Sequence, residues 1–195
     1  MSPETSAVHT VPTVRITPII PPGRWIVDAS HSSVEFAVKH MGIATVRGRF
    51  TEFEGTIEVG KDLASSRADG KLKVASVDTN DETRDAHLRS PDFFDADHYP
   101  QITFESTRIE AVDEESSQVY GNLTMRGVTR EIKLDVIISG VEQDPWGNTR
   151  VGLSAVGYLM RSEFDMRFNQ RLSSGNMLVG DKVNIALEIS AVKQA

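Results

Sequence analysis

From Trp25 onward, apolar and polar residues alternate over most of the chain, the period of a strand with one buried face. Val34, Phe36, Val38 and His40 fall on one side and Glu35, Ala37, Lys39 and Met41 on the other, which predicts a strand whose inward face ends in an imidazole. Val46, Gly48 and Phe50 share a face of the next strand. Phe53, Gly55 and Ile57 continue it only after a one-residue shift, so a β-bulge is expected near Thr51-Glu52. A turn over residues 62–69 leads into a strand from Lys71 through Leu72 and Val74 to Asp78.

The same period returns at Ile102, Phe104 and Ser106, at Val119, Gly121, Leu123 and Met125, and at Val151, Leu153, Ala155, Gly157 and Leu159, running toward Arg161. It is clearest where Ile132, Leu134, Val136 and Ile138 alternate with Glu131, Lys133, Asp135 and Ile137. Val183, Ile185, Leu187, Ile189 and Ala191 make the last strand, after a long loop over 163–181 that carries Phe164, Met166, Phe168, Leu172 and Met177. Turn chemistry separates the strands at 113–117, at Arg126-Gly127 and at Asp144-Pro145-Trp146-Gly147-Asn148.

About eight strands with short links and no strand–helix–strand alternation predict an antiparallel all-β domain. A sandwich and a closed barrel both satisfy the pattern. The bulge, the spaced glycines and the up-and-down hairpins favour closure. The interior of an eight-stranded barrel is either filled by side chains or holds one small ligand.

Residues 80–100 break the alternation, gathering two arginines, two histidines and five aspartates around Leu88, Phe93, Phe94 and Tyr99. Asn80 or Asp81 can cap a short helix with Glu82 and Asp85 in its first turn, where the dipole favours negative charge. Pro91 stops it, so Ser90 closes the helix and Asp92-Phe93-Phe94 begins another turn. Arg84, His87 and Leu88 share one face at helical spacing. The expectation is a short helical lid over the β-structure.

Composition narrows the function classes. Hydrophobic residues make up 39 % of the 195 and the net charge is −7, a globular and not a disordered composition. Acidic residues outnumber basic ones 28 to 21 with no dense basic cluster, which argues against nucleic acid as a partner. There is no cysteine, hence no disulfide or thiolate chemistry. No apolar run approaches the roughly 18 residues of a membrane span. Residues 1–23 hold five of the eight prolines and read as an extended or disordered arm, in which Val14-Arg15-Ile16-Thr17 is a candidate edge strand; the domain is expected over 24–195. No secretion leader is visible, so a cytoplasmic protein is expected.

Several motifs, taken together, resemble the YceI-like family. They are Trp25-Ile26-Val27-Asp28 with His31-Ser32-Ser33-Val34-Glu35-Phe36 and Lys39-His40-Met41; Arg84-Asp85, His87-Leu88, Asp92-Phe93-Phe94 and Tyr99-Pro100; Gly121-Asn122-Leu123-Thr124 with Arg126-Gly127-Val128-Thr129; and Trp146-Gly147 with Arg150. The resemblance spans about residues 24–192 in colinear order. It implies a lipocalin-like antiparallel barrel whose apolar tunnel binds a long isoprenoid or other amphiphilic lipid. Many relatives resemble periplasmic proteins with a cleavable leader, from which this chain departs.

On that reading the partner is an amphiphilic lipid: an isoprenoid quinone, a polyprenyl chain or a fatty-acid-like molecule, with no other cofactor. The inward positions Phe36, Val38, Phe50, Leu72, Phe104, Leu123, Met125, Leu134, Val136, Leu153 and Leu159 line the lumen, with Phe93 and Phe94 of the lid. His40 and His87 are placed to hydrogen-bond a headgroup, or alternatively to be satisfied by Asp85 or Asp92 and hold the lid down. Arg84 is expected to form an ion pair with a carboxylate. The bland alternative is that the same apolar side chains fill a closed core.

Two other classes stay open. His31, His40, His87 and His98 are candidate metal ligands for an enzyme acting on a small apolar substrate, but no His-x-His or His-x-x-x-His pair occurs. No Gly-x-Ser-x-Gly elbow, phosphate-binding loop or dinucleotide fingerprint is present either. The third class is a protein-interaction module, with the N-terminal arm adding to a neighbour's sheet in a homodimer.

Overall fold

The structure, a computed structural model, describes residues 20–195. The candidate edge strand at Val14–Thr17 lies outside the described residues. Among those described, one antiparallel sheet is built from β1 (Gly23–Val27), β2 (Ser33–His40), β3 (Ala44–Phe50), β4 (Phe53–Val59), β5 (Arg67–Lys73), β6 (Val77–Asp78), β7 (Gln101–Ala111), β8 (Ser116–Met125), β9 (Val128–Gln143), β10 (Thr149–Met160) and β11 (Val179–Lys193). The described residues hold one α-helix, α1 (Glu82–Arg89), which follows β6.

Eight of these strands close a ring in the order β1-β4-β5-β7-β8-β9-β10-β11, sealed where Trp25, Ile26 and Val27 pair with Lys193, Val192 and Ala191. The expected eight-stranded antiparallel barrel is therefore the architecture. β11 is long enough to serve two neighbours: its end meets β1, while Val183–Glu188 pairs with β2. From β2 the wall continues through β3 to β6, so one end of the barrel is rimmed by β1, β4 and β5 and the other by β2, β3 and β6. α1 and the turns after it sit at the β6 end.

The bulge expected near Thr51-Glu52 is instead a complete break. β3 pairs with β2 and β6, whereas β4 pairs with β1 and β5. The corner is held by Ser76 and Lys73: the backbone N–H groups of Thr51 and Glu52 donate to Ser76 O (3.2 Å) and Ser76 Oγ (3.1 Å), and the Lys73 N–H donates to Glu52 O (2.9 Å). Bulges do occur, where the β7–β8 register shifts between Ser106 and Arg108 and the β9–β10 register between Gly152 and Leu153.

The strand expected from Lys71 to Asp78 is likewise split. β5 starts earlier, at Arg67, and a 3-10 turn at Val74–Ser76 separates it from β6. Val74 and Ser76 are buried there, so alternation passes through the turn without a visible interruption.

The long loop expected over 163–181 is shorter and more folded. A 3-10 turn at Arg161–Phe164 ends with Asp165 in the left-handed region (φ 62°), and β11 resumes at Val179. That turn sends Phe164 and Met166 into the core.

α1 matches its expected signals. The Asp81 carboxylate caps it by accepting the Arg84 N–H, Glu82 and Asp85 occupy the first turn, and Ser90 caps the C-terminus before Pro91. At the opposite end of the barrel Trp25 is fully buried, its indole N–H donating to Pro21 O at 3.1 Å. Ile20 is buried beside it with Val59, Val151 and Ala191, so the last residues of the expected 1–23 arm pack against the barrel.

That end is also fastened electrostatically. Arg150 reaches Asp28 (2.7 Å) and Asp144 (2.9 Å), joining the start of β10 to the corner after β1. The Ser30 hydroxyl, with Arg150 and His31, holds the Asp28 carboxyl well below the usual carboxylate range. The Asn148 side-chain amide and Arg150 do the same for Asp144.

Candidate ligand-binding cavity

Alternation along each strand turns one set of side chains into the barrel, and they do not fill it. A cavity of about 560 Å³ remains. It is bordered by Ile20, Ile57, Val59 and Leu63 at one end and by Arg84, His87, Phe93 and Phe168 at the lid end. Every residue expected in the lumen borders it: Phe36, Val38, His40, Phe50, Leu72, His87, Phe93, Phe94, Phe104, Leu123, Met125, Leu134, Val136, Leu153 and Leu159.

Two phenyl rings line the wall without crossing the lumen because glycines make room for them. A methyl group on Gly48 would overlap the Phe36 ring, and one on Gly121 would overlap the Phe104 ring. Phe36 and Gly48 are direct cross-strand partners, while Phe104 lies diagonal to Gly121. Phe50 stacks edge-on with Phe94 of the lid, with ring centres 5.6 Å apart, tying wall to lid.

The lid is anchored at its entry by Thr79. Buried Asp85 accepts the Thr79 N–H (2.9 Å) and hydroxyl (2.5 Å). The ion pair expected for Arg84 is not made: no carboxylate lies within ion-pair distance among the described residues. Its Nε and Nη2 donate instead to Thr79 Oγ1 and Thr79 O, both at 2.7 Å. Because Thr79 bonds to both side chains, the helix start is locked to the end of β6 without an ion pair between Arg84 and Asp85.

His87 ties the lid to the segment after β10. Its ring edge meets Phe93 (centres 5.0 Å apart) and Phe168 (4.8 Å), and Nε2 stands 2.9 Å from Asp92 Oδ2. Of the two partners expected, Asp92 is the one met; Asp85 is taken by Thr79. Arg126 secures the turn after α1, its Nη1 donating to the carbonyls of Pro91 and Phe93. His40 borders the cavity with no side-chain hydrogen bond among the described residues.

The candidate metal ligands do not converge. His31 is paired with Asp28, His87 with Asp92 and His98 with Asp95, and no group of three or more His, Asp or Glu forms among the described residues.

The cavity extends past the residues expected from the strands. Met166, Phe168 and Leu178, from the segment read as a loop, border the lid end, and Val183, Ile185, Leu187 and Ile189 border it from β11. The β11 residues carried a visible signal in their alternation. So did Arg161, which continues the inward register of Val151 to Leu159 and is buried in the cavity wall. Ile20 and Leu63 carried none, since their placement depends on how the far end is closed.

The YceI-like domain model matches residues 25–191. The chain belongs to the YceI-like domain family. A UPF0312 protein of Staphylococcus aureus is 34 % identical over 158 residues, covering 80 % of this chain and 90 % of the relative. The crystal structure of BcnA from Burkholderia cenocepacia superposes with a TM-score of 0.71 at 26 % identity, covering 84 % of this chain and 98 % of that one. A polyisoprenoid binding domain from Saccharophagus degradans, implicated in plant cell wall breakdown, has a TM-score of 0.68 at 16 % identity, covering 87 % and 98 % of the two chains, and shares the fold. No helix among the described residues of this YceI-like chain is long and apolar enough to cross a membrane.

Proposed function

We propose that the 24–195 barrel binds a long-chain isoprenoid or similar amphiphilic lipid in its lumen and sequesters or carries it without transforming it. One observation carries this reading: the interior is an apolar cavity of about 560 Å³ and not a packed core. That volume lies within the roughly 300–1,000 Å³ range of small-molecule sites. That a domain of the same fold, from S. degradans, is described as polyisoprenoid binding supports the reading.

The energetics favour a long tail. Each buried CH₂ contributes about 0.8 kcal/mol. Several isoprene units therefore outweigh an association cost of roughly 4–15 kcal/mol.

The test is to purify the full chain, extract it with organic solvent and identify the extract by mass spectrometry, then offer polyprenol to the stripped protein. Lipid recovered or taken up at near one per barrel is the expected result. A stripped, folded protein that takes up none removes the reading.

A further inference from the structure

Arg161 is buried to 4 % exposure in the cavity wall, yet no carboxylate lies within ion-pair distance of it among the described residues. Its partners are backbone carbonyls: Nε donates to Gly180 O (2.9 Å), Nη1 to Met166 O (2.8 Å) and Nη2 to Val179 O (3.4 Å). A guanidinium carries five N–H donors, so these bonds leave two of them without an acceptor among the described residues. The Phe93 ring of the lid stands 6.0 Å from the guanidinium carbon.

Arg84, which is half-buried, borders the same end of the cavity and also has a donor to spare. Its Nε and Nη2 are held by Thr79, and its Nη1 has no partner among the described residues. The carboxylates that border the cavity, Glu35, Glu54 and Asp69, are solvent-exposed, and Glu54 is paired with Lys71. Asp165 and Asp181, which adjoin the Arg161 contacts Met166 and Gly180 in sequence, are bonded elsewhere: Asp165 pairs with Arg167, and Asp181, whose charge also acts on Arg161, accepts from the Ser162 N–H and hydroxyl.

Keeping a cation out of water without a counter-anion is costly, and an anion on the guanidinium offsets that cost. Guanidinium donors in a fixed fork match the geometry of carboxylate and phosphate oxygens. We infer that the lid end of the cavity is a headgroup subsite for an anionic oxygen group, a carboxylate or a phosphate ester, held by Arg161 with Arg84, while the hydrocarbon tail runs down the barrel. This rests on the lipid-binding reading above. The cargo class it specifies is an acidic amphiphile, in preference to a neutral alcohol of the same tail.

The test is a competition series on one tail. Hexadecanol, hexadecanoate and hexadecyl phosphate displace N-phenyl-1-naphthylamine from the stripped full-length protein at pH 8, below their aggregation limits. At least one of the anions is expected to bind about tenfold or more tighter than the alcohol, the size of a charge-assisted hydrogen bond, and the tighter anion assigns the headgroup as carboxylate or phosphate. Arg161→Met and, separately, Arg84→Met are expected to shrink that ratio.

Wild-type protein that binds the alcohol as tightly as both anions overturns the subsite and leaves the lipid-binding barrel standing. Displacement by none of the three, with no enhancement of probe fluorescence, removes both. The wild-type comparison decides the question even if Arg161→Met does not fold.

Discussion

The Phe36 ring occupies the space that a side chain on its cross-strand partner Gly48 would need. Phe104 uses Gly121 in the same way where β7 meets β8. A phenyl ring that has a glycine to rest against stays at the wall. Without the glycine it turns into the lumen, and the cavity narrows by part of a benzene ring.

Gly48→Ala and Gly121→Ala are accordingly expected to reduce capacity for long tails more than for short ones. They should also lower stability by about 1–3 kcal/mol, the usual cost of forcing a core side chain aside. Neither position has a positive φ, so the strain is steric: beyond the rings, a methyl group on Gly48 meets Thr79 Cγ2 and one on Gly121 meets Glu105 O, each at 2.7 Å. Binding of a chain-length series beside a denaturation curve checks this; unchanged affinity across the series would separate lumen volume from the glycine seats.

Leu134 is buried on the inner face of β9 at mid-barrel, opposite Gly157 on β10 and Val119 on β8. Leu134→Arg places a charge among apolar groups, which draws water into the lumen and removes the apolar lining a tail would meet. Uptake of a fluorescent lipid is expected to be lost while far-ultraviolet circular dichroism retains the β signal. A folded variant with undiminished uptake would sink the lumen assignment.

His87 joins α1 to two other segments through Phe93, Phe168 and Asp92. His87→Ala removes both ring contacts, each of the kind that contributes about 0.5–1.5 kcal/mol. Amide hydrogen exchange over residues 82–90 is expected to accelerate about tenfold relative to the β9–β10 hairpin. His87→Phe, which keeps ring edges and loses the Asp92 bond, should fall between the two. Equal exchange in all three proteins would show that His87 does not hold the lid.

Arg150 bridges Asp28 and Asp144 at the other end of the barrel. Both carboxyls are held below their ordinary range in the folded protein, so the folded state favours their charged forms. The resulting stability is fully present above the unfolded carboxylate pKa of about 3.9 and is lost as pH falls through the lower folded values. Arg150→Met is therefore expected to lower the thermal midpoint at pH 7. The gap from wild type should hold down to about pH 5 and close only below about pH 4. A gap that stays constant down to pH 2 would assign the loss to packing of the arginine stem.

How much of this was legible depended on whether the signal was local. The capped helix Glu82–Arg89 was readable because cap, acidic first turn and terminating proline act within ten residues. The inward set from Phe36 to Leu159 was readable because strand alternation is a period of two. The corner at Thr51-Glu52 was read as a bulge because a register shift looks the same along one strand whether the chain adds one residue or changes partners. Ser76, which fixes the outcome, is remote in sequence. Arg84 was assigned a carboxylate because charge suggests charge. Thr79, packed against the helix start, supplies two acceptors to it and two donors to Asp85.

The sequence by itself determined the inward-facing alternation of the strands, most of the turns between them and where a short helix begins and ends, since each follows from backbone geometry over a few residues. Only the tertiary structure decided that the ring closes through β1 and β11 and that its interior stays hollow. Closure depends on pairing residues some 165 positions apart, Trp25 with Lys193 among them. Hollowness depends on phenyl rings finding glycines on neighbouring strands, and inward apolar residues give the same alternation around a cavity as in a filled core.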